Sequence, residues 1–109
     1  SAAELHVENL VVNQSGPSPQ RTNIRVNLLN DGHDLAKPDR VELKARENPG
    51  TAWRTVKTWT GTHYIEAGDR RSFDYLPSPG ERLDPALSQP TYELQVVVSG
   101  KSGPMTSFE

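Results

Sequence analysis

The sequence predicts an all-β domain: a sandwich of two antiparallel sheets with about seven strands. Three observations predict it. Apolar residues recur at every second position in several short segments. Glycine, proline and asparagine separate those segments at intervals of roughly ten residues. No segment carries an amphipathic helical period long enough to pack as a helix. A chain of 109 residues is a single domain spanning 1–109 by size. Residues Ser1-Ala2-Ala3 have the composition of a cloning remnant. Only 33% of the chain is hydrophobic, and a sandwich with one inward face per strand places such a sparse apolar set economically.

The elements follow in order. Residues 4–13 alternate as Leu5 and Val7, then Leu10 and Val12. The phase changes between Glu8 and Asn9, which predicts a bulge or kink that lets the strand pass from one sheet to the other. Gln14 to Pro19 is a turn, since two prolines and a glycine end any strand there. Residues 21–30 set Ile24, Val26 and Leu28 against Asn23, Arg25 and Asn27, the alternation of a half-buried antiparallel strand. Asn30-Asp31-Gly32 ends it with residues that tolerate positive φ.

Residues 40–47 repeat the alternation, with Val41, Leu43 and Ala45 inward and Arg40, Glu42, Lys44 and Arg46 outward. Asn48-Pro49-Gly50 is a turn, and 52–60 is a strand rich in β-branched and aromatic residues. Gly61 breaks it, and Ala67-Gly68-Asp69 turns into a strand over 70–76 with Phe73 and Tyr75 on one face. The prolines of 77–90 mark an irregular connection, with a short helical turn around Asp84-Pro85-Ala86-Leu87. Tyr92, Leu94, Val96 and Val98 then alternate along 91–99. Gly100 to Gly103 is a turn, and Met105 to Phe108 forms a last edge strand. Six or seven short strands at this spacing indicate a sandwich or a barrel, and the expected fold is the immunoglobulin-like β-sandwich.

Three stretches carry a family resemblance: Ala3 to Val12; Asn23 to Gly32; and Ile65 to Phe73 taken with Tyr92 to Val98. Together they resemble the bacterial cell-adhesion-related domain, CARDB, a family of immunoglobulin-like modules. The resemblance implies a module of a surface, periplasmic or secreted protein, acting as a spacer, an adhesion unit or an accessory to an enzyme. It also implies an extracytoplasmic location.

Composition narrows the chemistry. Net charge is −2 with both signs interspersed, so nucleic acid and anionic membrane are not the expected partners. No apolar run approaches the ~18–20 residues of a membrane helix. Cysteine is absent, which removes disulfides, thiolate metal sites and a thiol nucleophile. No serine lies in a Gly-x-Ser-x-Gly elbow, and His6, His33 and His63 fall in separate segments. Neither an enzyme nor a cofactor is expected.

Two constellations remain. Asp31, Asp34 and Asp39 share one loop and offer hard oxygen ligands to calcium, although solvated turn carboxylates are the simpler reading. Trp53 and Trp59 have the same parity. On a regular strand they share a face about 20 Å apart at ~3.3 Å per residue. With Tyr64 they would form a platform for sugar rings or a protein partner. The strand's remaining residues make a thin inner face, which argues for at least one tryptophan in the core. The expected function is a non-catalytic module in contact with a protein partner or with neighbouring domains. The alternative is a carbohydrate-binding accessory domain.

Overall fold

Strands form wherever the period-two pattern was clear. The computed structural model describes residues 2–15, 21–78, 87, 92–100 and 103–108. Its strands are β1 (Leu5–Ser15), β2 (Arg21–Asn30), β3 (Arg40–Arg46), β4 (Arg54–Thr60), β5 (Arg70–Tyr75), β6 (Glu93–Gly100) and β7 (Gly103–Phe108). They pair into a three-stranded antiparallel sheet, β1-β2-β5, and a four-stranded one, β4-β3-β6-β7. The fold is a β-sandwich. The expected turns over 14–19 and 100–103, and the helical turn at 84–87, fall wholly or partly outside the described residues.

Register brings the inward residues into rows. In the larger sheet Val41 faces Val98, Leu43 faces Val96 and Ala45 faces Leu94. In the smaller sheet Val26 faces Phe73 and Ile24 faces Tyr75. Ile24, Val26, Leu28, Val41, Leu43, Ala45, Val96 and Val98 are buried, with Leu87 joining them from the 77–90 connection. Each such aliphatic side chain removed from water contributes about 1.5–3 kcal/mol before the cost of ordering it.

Three local expectations are revised. First, β1 does bulge, with Glu8 as the extra residue between Val7 and Asn9, yet it does not change sheets. It pairs with β2 from Leu5–Asn30 to Ser15–Arg21. The bulge instead restores Leu10 and Val12 to the inner side, opposite Val26 and Ile24, so both phases of the apolar pattern serve one sheet.

Second, none of Asn30, Asp31 and Gly32 adopts positive φ; among the described residues only Gly61 (φ 93°) and Gly68 (φ 78°) do. Gly32 is needed for space, because a Cβ there would collide with the Ala2 carbonyl oxygen and would meet the Glu4 nitrogen at 2.6 Å. The N-terminal segment lies directly on it.

Third, β4 starts at Arg54 and carries its own bulge. Lys57 pairs with Leu43 but Thr55 pairs with Lys44, leaving Val56 as the extra residue. β4 also lies beside β3, whereas the constant-type immunoglobulin arrangement sets the fourth strand in the sheet of the first two.

Candidate functional site

The start of β1, the ends of β2, β4 and β6, and the starts of β3, β5 and β7 gather at one end of the sandwich. The connections between β2 and β3, β4 and β5, and β6 and β7 therefore open on the same side. Asn30 organises this end. Its buried side-chain amide makes four hydrogen bonds. Oδ1 accepts from the backbone nitrogens of Glu4 (3.2 Å) and Gly32 (3.0 Å), and Nδ2 donates to the carbonyls of Asp34 (2.8 Å) and Ile65 (2.9 Å). Its main chain pairs with Asp69 and Gly68. One side chain thus ties the N-terminal segment to both long connections. Ile65 completes the tie: it bridges Ala36 through two backbone hydrogen bonds and is itself buried.

Above this frame lies an open groove of about 650 Å³. Leu35, Tyr64 and Met105 supply its large apolar side chains, with Ala3 beside them and Lys37, Asp39 and Thr62 as polar lining. Leu35 is 41% exposed, Tyr64 59% and Met105 38%. These are three of the six large apolar side chains exposed among the described residues. A smaller depression of about 320 Å³ lies on the outer face of the three-stranded sheet, where Arg25 bridges Asp74 at 2.8 Å. That ion pair holds the Asp74 carboxyl below its ordinary value and raises the Arg25 guanidinium.

The structure separates the three aromatics expected to form a platform. The Val56 bulge reverses the parity between the tryptophans. Trp59 faces Val41 on the inner side and packs against Phe73, ring centroids 5.6 Å apart. Trp53 lies beyond the start of β4, under the Arg46 guanidinium at 4.2 Å, while Arg46 also pairs with Glu93 at 2.8 Å. Only Tyr64 lines the groove. Val56 and Trp59 both pack on the core, which satisfies the demand for an inward tryptophan.

His63 also belongs to the aromatic cluster. Its ring meets Phe73 edge-on at 4.9 Å, and its Nε2 is shut from solvent without a hydrogen-bond partner. Burial, then the nearby Arg71 charge, pushes its pKa below the usual histidine value. The edge-on contact makes His63 part of the packing around the buried Phe73 ring.

The calcium set does not assemble. Asp34 gives its backbone carbonyl to Asn30, and Asp39 lines the groove with its nitrogen on Ser99. Asp31 instead meets Glu4 and His6, with one ligand atom from each within 4.8 Å of the others. Sequence reading missed this trio by looking for ligands along the chain. The available signal was Glu4-x-His6, two residues of one strand face, opposite the end of β2.

No protein-family model matches the chain, and no curated protein matches it. Among the described residues no helix is long and apolar enough to cross a membrane.

Proposed function

We propose that this chain is a non-catalytic immunoglobulin-like module that contacts a protein partner through its loop end. The observation that carries the proposal is the clustering of Leu35, Tyr64 and Met105 in one open groove on a frame locked by Asn30. An exposed apolar cluster rimmed by polar groups is the usual signature of a contact surface. A rigid scaffold that presents loops is the usual way a sandwich carries recognition. The CARDB resemblance supports an extracytoplasmic setting, as a unit of a surface, periplasmic or secreted protein. The glycan-binding alternative needs Trp53, Trp59 and Tyr64 on one surface, and their separation disfavours it.

A photo-crosslinking residue at position 64, with one at exposed position 57 on β4 as control, tests the proposal in extracts of the organism that makes the protein. The expected result is a discrete protein adduct from position 64 only, competed by excess unlabelled chain and lost on Met105→Glu. The same adducts from both positions, or none from position 64, would reject the groove as the contact surface.

A further inference from the structure

The Glu4, His6 and Asp31 side chains share one side of the β1–β2 pair for a reason of register. Leu5 stands opposite Asn30 with both side chains inward. Glu4 and Asp31 are the next pair outward, joined by a hydrogen bond from the Asp31 nitrogen to the Glu4 carbonyl at 2.8 Å. His6, two residues along from Glu4, projects to the same side. All three are exposed, and their ligand atoms lie within 4.8 Å of one another.

We propose that this trio binds a divalent transition-metal ion of the zinc class. Two carboxylates directly opposed on an antiparallel pair repel each other. Elsewhere on this sheet carboxylates are neutralised: Glu8 by Arg70 at 2.8 Å and Asp74 by Arg25 at 2.8 Å. Among the described residues no lysine or arginine bridges Glu4 or Asp31. A dication supplies the missing charge. The imidazole nitrogen selects which one. Zinc accepts a histidine nitrogen and carboxylate oxygens in a four-coordinate shell and leaves one position for water. Calcium and magnesium prefer oxygen alone. The frame is in place before the ion arrives, because Asn30 fixes the Glu4 and Gly32 nitrogens and Gly32 lets the N-terminal segment lie close. The bound ion would clamp the start of β1 to the β2–β3 connection. This inference is independent of the partner-contact reading.

The test is calorimetric titration of the full chain, purified without a polyhistidine tag, with zinc and with calcium. One saturable zinc site is expected. His6→Gln and Asp31→Asn should each weaken it by roughly tenfold or more, whereas His33→Gln should leave it unchanged. Far-UV circular dichroism checks that each variant keeps its fold. In the unmutated chain the His6 ring NMR signals should shift on zinc addition while those of His63 stay in place. No saturation at millimolar zinc, survival of the site in His6→Gln, its loss in His33→Gln, or equal affinity for calcium would overturn the proposal.

Discussion

Asn30 shows how one side chain sets the behaviour of a whole end of the molecule. Its amide satisfies two backbone nitrogens and two backbone carbonyls from three separate segments. Removing it strands the buried Gly32 nitrogen and Ile65 carbonyl without a partner, and each buried unsatisfied group costs about 1–3 kcal/mol. Asn30→Ala is therefore expected to cost about 2–4 kcal/mol in urea unfolding. It should also loosen the N-terminal segment, seen as faster amide exchange at Glu4 and Gly32. A loss below about 0.5 kcal/mol would show that water replaces the amide freely. This role was illegible in the sequence. Asn30-Asp31-Gly32 has turn composition, and the partners of Asn30 lie 26 and 35 residues away at Glu4 and Ile65. Composition reports that an asparagine suits a strand end; it does not report which distant backbone groups will need it. The reason for Gly32 was hidden in the same way. Its glycine signal was visible, but the cause is a crowded neighbour and not a positive φ.

At the scale of elements, alternation was a good guide to strands and a poor one to bulges. β2, β3 and β6 are buried on the faces their patterns name, because each is a regular strand with a sheet neighbour on both sides. The β1 bulge was also legible, since the apolar phase shifts visibly at Glu8. The β4 bulge was not, because Val56 and the tryptophans fit either phase and only pairing with β3 decides between them. That one extra residue distributes the tryptophans to opposite sides of the sheet. Their energetic roles should differ accordingly. Trp59→Ala removes a ring packed on Phe73 and is expected to cost about 2–4 kcal/mol, somewhat less than a fully buried large aromatic because Trp59 is only half-buried. Trp53→Ala removes a cation–π contact at the surface and should cost about 1 kcal/mol or less. Comparable losses at both positions in chemical denaturation would contradict the assignment. The strand edges follow the same logic. β4 exposes Arg54 and Lys57, β5 exposes Arg70 and Arg71, and β1 is bent by its bulge, three devices that discourage pairing with another chain.

Over the whole molecule, the position of β4 determines what the loop end looks like. Because β4 lies beside β3 and β5 lies beside β2, the 61–69 connection must cross from one sheet to the other. The crossing drops Ile65 into the core against Ala36 and leaves Thr62 and Tyr64 in the groove. A β4–β5 hairpin would leave that end uncovered and remove the surface proposed for partner contact. Sequence patterning predicted the two sheets and their shared interior, since burial of one strand face is a local property. It could not assign β4 to a sheet, because either neighbour would accept its inner face. The placement of β4 beside β3 is tested most directly by the cross-strand nuclear Overhauser contacts that β4 makes in solution. Contacts of Trp59 with Val41 and of Arg54 with Ala45 are expected, together with contacts from Ile65 to Ala36, and none between the β4 and β5 backbones. A ladder of backbone contacts joining Arg54–Thr60 to Arg70–Tyr75 would contradict it.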